Sequence, residues 1–313
     1  MLDNFLICLQ AVVPMFILLA IGVLIRRSRI IDDASLKKCN RMVFLACFPT
    51  IIFENLYGAK FGDAWNTKLV LFALVVLALI IAFTIPLVMQ VEKEPASRGA
   101  MIQAIYRSNF VIMGLPIVAN IYGRGNLAMT AMLIAIIVPS YNVLAVVILE
   151  TFRKGRINKA HILKGIVTNP LILGALVGLL FVINQWKLPQ PVESVIGDLS
   201  SAATTMSLLI LGASFSFRSV QKGWRDLVVC VLGRLVLVPG LFLPVAALAG
   251  FRDMAFLSLL AMLAAPTAIS SYTMAESMDS DGELAGNCVI FTSAFSCVTL
   301  VGWLFVFKSF GVF

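Results

Sequence analysis

The chain has 313 residues, 60% of them hydrophobic and 13% charged, with a formal net charge of +8. Soluble domains run at about 45–50% apolar and about 25% charged residues, so this composition excludes a soluble globular protein. Apolar stretches of about 20 residues recur from end to end and mark an all-α polytopic membrane protein, while the surplus Lys and Arg fall in short loops, where they set orientation and call for no nucleic-acid partner.

Taken in order, ten spans are predicted, over about residues 8–26, 37–57, 67–90, 99–121, 127–151, 163–185, 197–217, 226–249, 254–277 and 286–307. Met1 to Phe5 lacks the positive region of a secretory signal, so the first stretch is expected to be a retained span. Alternate loops differ in charge: sixteen Lys and Arg lie on one side and six on the other. The positive-inside bias therefore places both termini outside. One loop on the predicted inner side dissents, carrying Glu276, Asp279, Asp281 and Glu283 with no Lys or Arg. Trp65, Trp186, Trp224 and Trp303 fall near span ends, as interfacial aromatic residues do.

The longest basic loop, Arg153 to Lys164, divides the spans five and five. Pro14 and Gly22 in span one recur as Pro170 and Gly178 in span six, 156 residues on, and Gly125-Asn-Leu-Ala128 recurs as Gly282-Glu-Leu-Ala285, 157 residues on. Five is odd, so the second copy enters the membrane from the opposite side, as in an inverted-topology repeat. Residues 1–152 form the first repeat, 153–165 a cytoplasmic linker and 166–313 the second repeat.

Pro116 in span four and Pro266 in span nine are then near-equivalent. A proline inside a helix removes a hydrogen bond and clashes with the preceding turn. Freed backbone groups at membrane depth are tolerated only where protein buries them or a wet cavity receives them. Two mirror-related broken helices are therefore expected to cross near the bilayer midplane and form a binding site. Candidate ligands are Ser108 and Asn109 before Pro116, Asn142 in span five, and Thr267, Ser270 and Ser271 after Pro266. An Asn amide both donates and accepts, which suits a carboxylate. Arg107 and Arg234 lie about a third of the way into their spans, and two readings are open for them: snorkelling to the interface, or attraction of an organic anion.

The six cysteines lie in or beside apolar spans without CxxC spacing and read as small buried hydrophobes. With His161 the only histidine, no metal site is expected. HExxH and GxSxG are absent, so the chain is not expected to be an enzyme, and no cofactor is implied.

Asn109-Phe-Val-Ile-Met-Gly114-Leu-Pro116, Tyr122-Gly123, Tyr141-Asn142-Val-Leu-Ala-Val and Ala265-Pro266-Thr267-Ala268, set in ten spans, resemble the auxin efflux carrier family in its bacterial, malonate-permease-like branch. The resemblance covers essentially the whole chain. It implies a scaffold of spans one, two, six and seven, a moving transport unit from the other spans, a proline crossover of spans four and nine that holds substrate, elevator-like motion and a homodimer. Asn109, Pro116 and Pro266 carry over as crossover residues and Asn142 as a neighbour. Two departures, the missing long central loop and Arg107-Ser108 before the Asn, argue against the plant hormone as substrate. The expectation is a multi-pass secondary carrier of the bacterial inner membrane for a small organic anion, with a dicarboxylate such as malonate as the example. Its coupling ion is left between proton and sodium. The alternative is a membrane sensor or regulatory subunit that binds a small ligand without moving it.

Overall fold

The computed structural model describes residues 2–57, 65–123, 127–153 and 159–313. These form helical rods joined by short connections, and among the described residues the only β-type pairing is one isolated bridge, Ser108 to Thr267. The rods are α1 (Leu2–Arg27), α2 (33–57), α3 (Thr67–Val91), α4a (Pro95–Tyr106), α4b (Phe110–Tyr122), α5 (Ala128–Thr151), α6a (Lys159–Val167), α6b (Pro170–Ile183), α7 (Gln190–Ser214), α8 (Trp224–Leu248), α9a (Asp253–Ala264), α9b (Ser270–Ser277) and α10 (Gly282–Ser309). By length and composition α3, α5, α7, α8 and α10 can each cross a membrane, so the chain is a multi-pass membrane protein. The basic residues Lys154 and Arg156, the repeat residues Gly125 and Asn126, and the side chains of Cys8 and His161 lie outside what the structure describes.

Two close helix crossings show what the paired glycines do. A Cβ on Gly22 of α1 would lie 2.2 Å from the Leu209 carbonyl oxygen of α7, and one on Gly212 would lie 2.1 Å from the Leu19 carbonyl oxygen. On α6b, a Cβ on Gly174 would come within 2.7 Å of the Pro49 carbonyl oxygen of α2, and Gly178 packs on Leu56. Small residues let helix backbones approach in a membrane, where apolar burial gives helices little reason to associate. The α1–α7 and α2–α6b pairs, with α2 also packed on α7, make one group of helices. Gly212→Val should therefore destabilise by at least the about 1–3 kcal/mol typical of overpacking, because the obstacle is backbone that cannot move aside. Thermal unfolding in detergent would read this against Gly302→Ala, whose added Cβ meets nothing within 4 Å and should leave the midpoint unchanged or raised.

In the other group, α4a is buried from Gly99 to Tyr106 and α9a from Phe256 to Ala264. Half-helices buried all round have protein on every side, which is how these breaks are tolerated at depth. The first break falls at Arg107–Asn109 instead of at Pro116. Pro116 sits in the first turn of a regular helical segment, behind a π turn over Phe110–Gly114. The wider turn shifts the bonding register just where the proline ring would clash. Pro266 lies within the second break, between Ala264 and Ser270.

The acidic loop before α10 belongs with the basic ones. Asp279 pairs with Arg153, and Glu276 lies 3.8 Å from Lys37, at the same end of the molecule as the Arg26–Asp33 pair. The hydrogen bond from Arg153 to Asp279 raises the arginine pKa above its ordinary value. Asp281 caps α10 through the Leu284 amide and accepts from the Ser97 hydroxyl at 2.8 Å. Trp65, Trp186 and Trp224 are exposed, but Trp303 faces inward and donates to the Leu235 carbonyl at 2.9 Å. The described cysteines are free, and Cys47, Cys230, Cys288 and Cys297 are buried.

Candidate functional site

At the breaks two short extended segments, residues 107–109 and 266–268, run antiparallel. The Asn109 amide donates to the Pro266 carbonyl at 2.7 Å and the Ala268 amide to the Arg107 carbonyl at 3.2 Å. Each segment thus receives backbone groups that the other has freed. Thr267 is spent on this joint: its hydroxyl donates to the Ala104 carbonyl at 2.8 Å and its amide to the Thr292 hydroxyl at 3.0 Å.

Two arginines are buried here, and no described carboxylate pairs with either. Arg234 uses all five N–H donors on carbonyl oxygens, those of Ala265, Ile105, Tyr106, Met262 and Leu263, at 2.7–3.1 Å. Arg107 is different. One nitrogen contacts the Met274 sulfur at 2.7 Å and another donates to Asn142 Oδ1. A thioether is a weak acceptor, so this cation is sparsely satisfied for a group whose removal from water costs several kcal/mol. Neither guanidinium snorkels.

Arg107 lines a cavity of about 260 Å³ with Ser108, Asn109, Asn142 and Ser270, under Glu54 and Asn55 of α2 and Ser200 and Thr204 of α7. The Asn109 side chain is buried, yet its Nδ2 has no hydrogen-bond partner among the described residues. Asn142, by contrast, is committed, its Nδ2 to the Val138 carbonyl at 2.9 Å and its Oδ1 to Arg107. Ser108 shares a 3.2 Å hydrogen bond with the Tyr141 hydroxyl. The first amides of α4b have no carbonyl one turn back, and Phe110, Val111 and Ile112 also line the cavity. The wall thus combines a cation with spare donors, which suits an anion small enough for a space below the usual range for drug-sized ligands, about 300–1,000 Å³.

Five of the sequence-predicted residues, Arg107, Ser108, Asn109, Asn142 and Ser270, meet at this cavity. Thr267 and Ser271 do not line it, and Pro266 contributes through its carbonyl. Sequence reasoning missed the facing wall. Ser200 and Thr204 are four apart and share a helix face, a signal present in the polar run of span seven. Glu54, near the end of span two, is exposed at the cavity.

A second hollow, of about 650 Å³, lies toward the charged end. Asp33 and Lys37 of α2 and Ser214 of α7 face Ser97 of α4a, Tyr272 and Glu276 of α9b and Asn287 of α10 across it. Both hollows therefore follow the seam between α2 and α7 and the crossing helices. Polar contacts bridge the same seam: Thr273 to Ser207 at 3.1 Å, Tyr272 to Ser214 at 2.9 Å, and Asn40 to the Thr273 carbonyl at 3.1 Å.

A sequence model of a family described as "Membrane transport protein" matches residues 7–161 and 150–304, so nearly the whole chain is covered. A protein of Methanothermobacter thermautotrophicus named "Uncharacterized transporter" is 22% identical over 297 residues, 94% of this chain and 96% of its own length. A Rhizobium meliloti protein named "Putative malonate transporter" is 25% identical over 149 residues, 47% of each chain.

Proposed function

Because the chain belongs to the membrane transport protein family, whose members are auxin efflux carrier-like, we propose that it is a secondary transporter for a small organic anion. The observation that carries this reading is the cavity at the crossing, where the sparsely satisfied Arg107 guanidinium and the Asn109 side-chain Nδ2, unpartnered among the described residues, converge. Ionisable groups inside a membrane mark substrate paths, and broken helices form sites at the crossing of repeats. A short dicarboxylate such as malonate is the proposed substrate: one carboxylate meets Arg107 and Asn109, and the second takes hydroxyls of Ser270, Ser200 and Thr204. The name of the Rhizobium relative supports that class.

Ten spans in two inverted repeats fit the helical order. Gly22 and Gly178, predicted equivalents, both sit at close crossings, α1 on α7 and α6b on α2, and the repeat exchanges these two pairs. In this reading α1, α2, α6 and α7 form a scaffold, the remaining helices move along the seam, and the two hollows are alternating routes to one site. The basic end faces the cytoplasm of a bacterial inner-membrane protein with both termini outside. The homodimer implied by the family resemblance completes the proposal.

Vesicles reconstituted with the protein should accumulate labelled malonate above protein-free controls. Asn109→Ala removes a donor the site holds open and should lower uptake by about tenfold or more while leaving thermal unfolding unchanged. Normal uptake by that variant would remove Asn109 from the site; malonate binding by calorimetry with no flux would instead favour a sensor.

A further inference from the structure

The two half-helices that end at the crossing, α4a and α9a, bring their carboxyl ends to one point, and Arg234 occupies it. Each helix end carries about half a negative charge from its last carbonyls, so two ends together match one cation. For α4a the accounting closes. Its last four carbonyls are taken by the Arg107 amide (Gln103), the Thr267 hydroxyl (Ala104) and Arg234 (Ile105 and Tyr106). On the α9 side Arg234 takes Met262, Leu263 and Ala265. The side chain reaches this point from a π turn over Gly233–Leu237, and Gly233 lets α8 lie against α4a: a Cβ there would sit 3.1 Å from Ile105 Cγ1.

Arg234 does not line the cavity, so its influence passes through backbone. Tyr106, whose carbonyl it binds, is followed directly by Arg107, Ser108 and Asn109, and Ala265 is followed directly by Pro266. In carriers with broken helices, unwound carbonyls and half-helix carboxyl ends are where a coupling cation such as sodium binds. Here a guanidinium holds those oxygens. We infer that Arg234 is a tethered cation: a positioning residue that does at the crossing what a bound alkali cation would otherwise do, leaving anion binding independent of sodium. This rests on the anion-carrier reading and deepens it by removing the half-helix carbonyls as a sodium site.

The test has two arms. In vesicles, wild-type malonate uptake should stay within about twofold when sodium is replaced by choline at constant pH gradient, whereas Arg234→Ala should lose about tenfold or more. Millimolar guanidinium should restore part of that uptake, a rescue that a general packing defect would not show. In detergent without malonate, guanidinium should raise the unfolding midpoint of Arg234→Ala and leave wild type unchanged. Arg234→Lys keeps the charge with fewer donors and should fall between wild type and Arg234→Ala, which preserves the test if the alanine variant does not fold. Sodium-dependent wild-type uptake would overturn the inference, as would an Arg234→Ala protein that transports normally and ignores guanidinium. Absence of wild-type malonate binding and flux counts against the carrier reading alone, because the detergent arm still reports on Arg234.

Discussion

Arg107→Gln should weaken the apparent affinity for malonate by about ten- to a hundredfold, with a smaller change in maximal rate. A hydrogen bond to a charged group contributes about 1.5–3 kcal/mol, and each 1.4 kcal/mol is tenfold in affinity. Glutamine keeps much of the length and can still donate to Asn142 Oδ1, so the local contact survives while the charge goes. The effect therefore isolates the cation's attraction for the substrate. Arg107→Lys should be intermediate, since an ammonium keeps the charge and loses the planar fork. Concentration-dependent uptake in vesicles gives both constants. Unchanged affinity in Arg107→Gln would reduce Arg107 to a structural partner of Asn142 and Met274.

The contrast between Arg107 and Arg234 also shows where sequence reading stops. Both arginines were visible as charges in apolar spans, and both were open to the same two interpretations. What separates them is their acceptors. Those of Arg234 are backbone carbonyls from residues 28 to 129 positions away, and every residue carries such a carbonyl, so nothing in the sequence singles them out. Thr267 carries the same lesson: its hydroxyl was readable as a ligand, but its bond to the Ala104 carbonyl was not.

Periodic and positional signals fared better. Pro266 located the second break, and the polar pair Ser108 and Asn109 lies in the first, because a polar group at membrane depth needs a partner wherever it lies. The displacement of the first break from Pro116 to Arg107–Asn109 was hidden because a π turn absorbed the proline locally. Gly22 and Gly178 stood out in the sequence by their matching distance from a proline, yet their close helix contacts needed the partners Leu209 and Leu56 to become visible. The acidic loop looked anomalous only while counted alone; Lys37 and Arg153 supply its counter-charges.

Joining Ser207 to Thr273 should stop transport altogether. Ser207 lies on α7, in the proposed scaffold, and Thr273 on α9b, in the unit proposed to move, and their hydroxyl oxygens are 3.1 Å apart. Side chains that close are within reach of a disulfide once both are cysteine. If the crossing helices slide along the seam to exchange the 260 Å³ cavity with the 650 Å³ hollow, this contact must part in every cycle. Oxidised Ser207→Cys/Thr273→Cys vesicles should then show only background malonate uptake, and reduction should restore it. Each single variant, oxidised in parallel, controls for the native cysteines, of which Cys47, Cys230, Cys288 and Cys297 are buried. Malonate binding to the cross-linked protein should persist, since the cavity residues are untouched. Uptake that continues with the cross-link verified by mass spectrometry would mean that α7 and α9b stay together through the cycle, and the seam between them would no longer be the plane of movement.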